Sequence, residues 1–225
     1  MKIILLSFFR QKTNKGQCMA WHNGKFWPLY VPEWYHPKVS QYFFDPYSFS
    51  HILHGFIFYG LWGWWVPSTF GWGETQTWWW TWVCGAFLGL FMEFCHEMIE
   101  NSEIGISRFR NTSGTSEFYK GDSLQNIIGD IISAMFGWFL TAVLHQAGYP
   151  WLVLLWTVIS ELASVLYMRD CGVLIIIQLL FNSESIKAWQ TEKIVEVNKN
   201  QGELRKLKQN YKNEYLIKYN TILHY

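Results

Sequence analysis

Residues 78–100 read Trp-Trp-Trp-Thr-Trp-Val-Cys-Gly-Ala-Phe-Leu-Gly-Leu-Phe-Met-Glu-Phe-Cys-His-Glu-Met-Ile-Glu. No charge occurs over 78–92, and then Glu93, Glu97 and Glu100 follow at i, i+4 and i+7, on one face of a helix. Such a run crosses about 30 Å of hydrocarbon at about 1.5 Å per residue, so a membrane span is expected over 78–99. Carboxylates one or two turns inside a span are expensive, and they need partners.

Working outward, three further stretches have the length and apolarity of spans: 47–66, 124–146 and 150–168. The stretch 173–181 is too short to span and reads as an interfacial or re-entrant piece. Trp and Tyr gather near span ends, where amphipathic rings sit at the headgroups. Composition agrees: of 225 residues 50% are hydrophobic, 20% aromatic with 15 Trp, and only 16% charged, against about 25% for a soluble domain. All 18 Lys and Arg fall on one side of a four-span arrangement, and the loops 67–77 and 147–148 carry none. That asymmetry places both termini on the cytoplasmic or matrix side.

The expected fold is therefore all-α: a polytopic membrane protein of about four transmembrane helices, a short interfacial segment and a long amphipathic C-terminal helix. Its parts are a basic, aromatic N-terminal arm (1–44), a transmembrane helical domain (45–182) and a polar helical tail (183–225). In the tail, Trp189, Ile194, Val197, Leu204, Leu207, Tyr211 and Tyr215 recur mostly at three- and four-residue steps, an apolar stripe that calls for a partner. Residues 1–9 are cationic and lack a small-residue cleavage site, so no cleaved leader is expected. Net charge is +1, giving no reason to expect nucleic acid. Cys18, Cys84, Cys95 and Cys171 form no CxxC pair, so neither a zinc knuckle nor a disulfide framework is signalled.

Polar groups inside the spans nominate a site. His51 and His54 share a face of the first span, and Glu93, Glu97 and Glu100 with Asn101 line the second. Asp122, Asn126 and Asp130, with Ser133, form a stripe at the start of the third. Glu161 lies mid-span and Arg169–Asp170 end the fourth. Because adjacent spans run in opposite directions, the His pair, the Glu trio, the Asp/Asn stripe and the Arg169–Asp170 end fall in one leaflet. We expect a cavity there with Arg108, Arg110 and Arg169 at its rim.

The bland readings stay beside this one. Glu93-x2-His96 has the form found in di-iron bundles but lacks a second copy, and His96-Glu97-x2-Glu100 matches the zinc-protease HExxH only with one substitution. His51 and His54 are metal or haem ligands, or imidazoles hydrogen-bonded to nearby acids; if a metal binds, His51, His54 and Glu97 are its expected ligands. Asp122 serves equally as a helix N-cap, and the whole cluster as a structural polar network. Gly71-Trp-Gly73 is a turn.

Several separated motifs together resemble a family of uncharacterised alphaproteobacterial inner-membrane proteins, a domain of unknown function. They are Asp45-Pro-Tyr-Ser-Phe-Ser-His51-Ile-Leu-His54-Gly-Phe, Glu93-x3-Glu97-x2-Glu100-Asn101, Arg108-Phe-Arg110, Tyr119-Lys-Gly121-Asp122-Ser123-x2-Asn126-x3-Asp130, Arg169-Asp170 and Ala188-Trp189-Gln190. The likeness runs over roughly 33–190, and a fainter one extends to VanZ-like membrane proteins. In the family, the position of His96 is usually a Trp or another non-ligand. The basic start, the tail after Gln190 and the density of Trp depart from the bacterial pattern. By resemblance these departures imply a mitochondrial descendant.

Two functions compete at this stage. One is an accessory, structural subunit of a mitochondrial inner-membrane complex, the respiratory chain first, with membrane lipids and other subunits as partners. No cofactor is expected, bound phospholipids are, and a metal ion remains open. The other is a membrane enzyme or binder acting on a lipid headgroup or anionic small molecule, with Glu97 or Asp130 as base or metal ligand and the three arginines holding phosphate. A proton pathway ranks third, since only Glu161 and His145 extend the polar groups toward the far side.

Overall fold

The computed structural model describes residues 39–112, 119 and 121–192, with short pieces at 21–22, 25–26, 29–30, 195–196, 199–200 and 202. The expectations for the start of the chain and for most of the tail stripe lie outside the described residues. Strand pairing among the described residues is limited to Trp21–His22 against Lys25–Phe26 and a bridge between Tyr30 and Phe44. Everything else of regular structure is helical, so the molecule is all-α.

Helix α1 is a continuous rod over 48–70: α-helical at Ser48–Phe58 and Val66–Phe70, with wider π-type turns at Tyr59–Trp65 between them. Helix α2 is Glu74–Glu100, again with a π-type stretch at Trp80–Gly85. Then come α3 (Glu103–Thr112), α4 (Leu124–Gln146), α5 (Trp151–Met168) and α6 (Gly172–Phe181), and the chain is helical again over 184–192.

Three of these, α2, α4 and α5, are long and apolar enough to cross a membrane. The expected first span exists as a rod of similar length, but α1 falls short on apolarity. Its first half carries Ser48, Ser50, His51 and His54, and Ser48 and His51 are buried against neighbouring helices. The two π-type stretches lie side by side. The Trp80 indole donates to the Trp62 carbonyl (2.5 Å) and Thr81 Oγ1 to that of Gly63 (3.4 Å), so widened turns offer backbone oxygens to the partner helix.

The closest helix pair is α1 with α4. A Cβ at Gly55 would run into the Ala134 carbonyl oxygen, and one at Gly137 into that of Ile52, so only hydrogen fits at these crossings. Within hydrocarbon, packing replaces the hydrophobic effect as the force between helices, and small residues permit this approach. Trp138, fully buried, fills the space left by Gly85 and Gly89 of α2 and meets Tyr59 edge-on at 5.3 Å, forming a core with Ala86 and Ala142. Tyr59 Oη lies 2.9 Å from His145 Nδ1, which engages His145 within the far half of the bundle.

Helix α5 stands apart. Only 6% of its apolar window is buried, against 50% for α4 and 28% for α2. Glu161 accepts from the backbone N–H groups of Gly172 (3.1 Å) and Val173 (2.9 Å). Its role is to satisfy the first turn of α6, which starts beside the middle of α5. The short apolar piece expected at 173–181 is thus a helix that folds back along the bundle.

The α1–α4 contact yields a stability test. Gly55→Leu or Gly137→Leu should destabilise the protein by about 1–3 kcal/mol through overpacking, lowering its melting temperature in detergent. Gly60→Leu, where an added Cβ meets nothing within 4 Å, should leave it unchanged.

Candidate functional site

The start of α1, the end of α2 and the start of α4 meet at one level and bring the expected polar groups into contact. His51 is at the centre. Its Nδ1 lies 2.6 Å from Glu93 Oε1 and 3.5 Å from Glu97 Oε1, and its Nε2 lies 3.8 Å from Asp130 Oδ2. His54 Nδ1 lies 3.2 Å from Glu93 Oε2, and His96 Nδ1 3.6 Å from Glu100 Oε2. The three imidazoles form one group, with ring centres 5.0 Å (His51–His54), 4.5 Å (His54–His96) and 5.9 Å (His51–His96) apart. Glu93, Glu97 and Asp130 are buried, whereas the side chains of His54 and His96 are 26% and 38% exposed and form the open edge.

Local sequence explains the placement. Asp45 Oδ1 accepts from the backbone N–H groups of Tyr47 (2.8 Å) and Ser48 (3.3 Å), ordering the start of α1. Ser48 Oγ then donates to Asp130 Oδ1 at 2.7 Å, joining α1 to α4. The N-cap of α4 is Ser123, whose hydroxyl accepts from the Asn126 backbone N–H at 3.2 Å. Asp122 is therefore not the cap; its carboxylate accepts from the Tyr119 hydroxyl at 2.5 Å. Asn101 bridges the helix ends: its amide donates to Glu97 Oε2 (3.1 Å), and its oxygen accepts from the Asp122 backbone N–H (2.6 Å). Asn126 Nδ2 reaches Asp45 Oδ2 at 3.4 Å.

Outside the spans, burial and then the Asp122 charge push the Asp45 carboxyl up from 3.8 to about 7. The same two causes raise the Tyr119 phenol well above its usual value.

Nine of the twelve expected residues, from His51 to Asp130, join this network. In place of the phosphate-holding rim expected from them, the three arginines hold partners at helix ends. Arg108 Nη2 donates to the Leu179 carbonyl at 3.1 Å and Arg110 to that of Tyr119. Arg169 holds the Trp189 carbonyl (2.7 Å) and Glu192 (2.9 Å), with its guanidinium 5.2 Å from the Trp189 ring centre. A guanidinium finds a helix-end carbonyl or an aromatic face as readily as an anion, so spacing could not decide between them. Asp170 likewise turns to Gln190 Nε2 (3.3 Å), docking the 184–192 helix on the turn after α5. In place of the expected cavity stands a network of touching acids and imidazoles, exposed only at its His54–His96 edge.

The expected metal set of His51, His54 and Glu97 is also redistributed. His51, His54, Glu93 and His96 offer ligand atoms all within 4.8 Å of one another; Glu97 groups instead with His51 and Asp130, or with His96 and Glu100. His96, whose family position is usually a non-ligand, completes the first group; Glu93-x2-His96 on α2 faces not a second Glu-x2-His but His51-x2-His54 on α1. Asp45, Ser48 and Tyr119 were not foreseen as site residues. Asp45-x2-Ser48 is legible as a helix-start pattern, and all three lie in the motifs that carry the family resemblance.

The bundle and its centre define a polytopic membrane protein with a buried His/carboxylate site. Residues 15–192 match the family described as "Protein of unknown function (DUF2585)". The UPF0314 protein of Novosphingobium aromaticivorans is 36% identical over 156 residues, covering 67% of this chain and 71% of that protein. That of Sphingopyxis alaskensis is 32% identical over 152 residues (67% and 72%), and that of Paracoccus denitrificans 29% over 154 residues (68% and 71%). The chain belongs to this family of unknown function, and these relatives come from alphaproteobacteria. No solved structure matches it.

The Asp45 environment sets a pH dependence. The folded chain keeps this proton up to about pH 7, whereas the unfolded chain releases it near 3.8. The stabilisation is full below the lower value and is lost as the pH rises through the higher one. Melting temperature in detergent should therefore fall between pH 5 and pH 8, and Asp45→Asn should flatten that slope while keeping the capping oxygen.

Proposed function

We propose that this membrane protein works through its His/carboxylate centre, as a binder or enzyme whose ligand is cationic. The observation that carries this reading is the contact of His51 with Glu93, Glu97 and Asp130 from two other helices. Among the described residues these buried acids face imidazoles rather than a guanidinium or ammonium, and such a group attracts cations and repels anions. The lipid-headgroup or anionic-substrate alternative loses support with its arginines. The likeness to VanZ-like proteins fits a polar layout of this kind and remains part of the proposal.

A second reading is favoured by the bare surface of α5: an accessory subunit of a mitochondrial inner-membrane complex, the respiratory chain first, with both termini in the matrix. A spanning helix this poorly packed against its own bundle suits a neighbouring subunit. Trp density and basic ends support descent from a bacterial inner-membrane ancestor. In this reading the protein co-purifies with a large complex in mild detergent; recovery as a free monomer counts against it.

For the first reading, the combined substitution Glu97→Gln, Asp122→Asn and Asp130→Asn should leave abundance in the membrane near normal and fail to rescue a deletion strain. Full rescue at normal abundance would show the centre to be inert.

A further inference from the structure

We propose that His51, His54, Glu93 and His96 bind one divalent first-row transition-metal ion, an inference that rests on the cation-binding reading of the centre. The four side chains come from two helices at matching spacing, His51-x2-His54 on α1 and Glu93-x2-His96 on α2. Their ligand atoms already lie within 4.8 Å of one another. A tetrahedral site with bonds of about 2.1 Å separates its ligands by about 3.4 Å, so closure needs movements of about an ångström. His54 and His96, the two partly exposed members, have room to make them.

A second observation points the same way. Glu97 is 1% exposed; its Oε2 is held by Asn101, but its Oε1 has no hydrogen-bond donor among the described residues. That oxygen faces the same imidazoles, 3.5 Å from His51 Nδ1. A buried carboxylate oxygen left without a donor costs several kcal/mol in a purely hydrogen-bonded network. Beside a cation it is a ready outer partner, or a fifth ligand. The surroundings also provide the support that metal ligands need: Asn101 orients Glu97, and Ser48 orients Asp130 on the far side of His51.

Donor chemistry selects the ion. Three imidazoles and one carboxylate suit Zn²⁺, Fe²⁺, Co²⁺ or Mn²⁺, whereas Mg²⁺ and Ca²⁺ take oxygen ligands. The ion would enter the space between His51 Nδ1 and Glu93 Oε1, now 2.6 Å apart, and displace the proton they share.

The test uses the full chain, purified in mild detergent on a tag without histidines, stripped with chelator and titrated with Co²⁺. We expect saturable uptake of one ion per chain with visible bands typical of nitrogen ligation, displaced by Zn²⁺. His54→Gln and His96→Gln should each weaken binding at least tenfold with unchanged helical circular dichroism, while Cys95→Ser leaves it intact. Zn²⁺ should also raise the melting temperature of the unmodified protein, a readout independent of any variant's folding. No saturable uptake up to millimolar Co²⁺, or equal uptake by both glutamine variants, would overturn the metal site. If the unmodified protein takes up no metal while the triple-amide variant still fails to rescue, the functional centre stands and the metal falls. If metal binds and the triple-amide variant rescues fully, the site stands and the proposed function falls.

Discussion

One imidazole organises this molecule. His51 is contributed by α1, yet its two nitrogens face carboxylates of α2 and of α4, in a setting where charge without a partner is costly. Each of the three helices carries part of a hydrophilic row that it could not show to lipid alone. Bringing the rows to a common depth around His51 supplies partners to all of them, and it fixes how far each helix is shifted along its neighbours.

Packing and polarity then divide the bundle by level. At the site level, side chains of Asp45, Ser48, Asn101 and Asp122 tie helix ends together through hydrogen bonds. At mid-depth, Gly55 and Gly137 let α1 and α4 approach until backbone meets backbone. On the far side, Trp138 is seated over the glycines of α2 and against Tyr59. The polar centre thus rests on a rigid wedge of small and aromatic residues. That is the kind of support a site needs if its groups are to keep their spacing.

The outer elements follow a different rule. Arg108, Arg110, Arg169 and Lys187 end on main-chain carbonyls, and Glu161 ends on the first N–H groups of α6. These charged side chains close off helix ends and dock α6 and the 184–192 helix against the bundle. The carbonyls held by the four basic side chains lie at helix ends rather than among the acids and imidazoles of the centre. Among the candidate spans, α5 is the least packed, with 6% of its apolar window buried.

Much of this could be read from residue order alone. Apolar run lengths specify membrane helices, and a 3.6-residue period assigns His51 with His54, Glu93 with Glu97 and Glu100, and Asn126 with Asp130 to common faces. Alternating direction then sets those faces at one depth, because geometry within a helix depends only on spacing. Which groups touch is a different matter. It depended on the crossing of α1 over α4, where hydrogen-sized gaps at Gly55 and Gly137 set the approach, and on where long flexible side chains found carbonyls. His96 joined the imidazoles and the arginines left them for the same reason: partners distant in sequence compete for each polar group, and only the assembled bundle determines which is within reach.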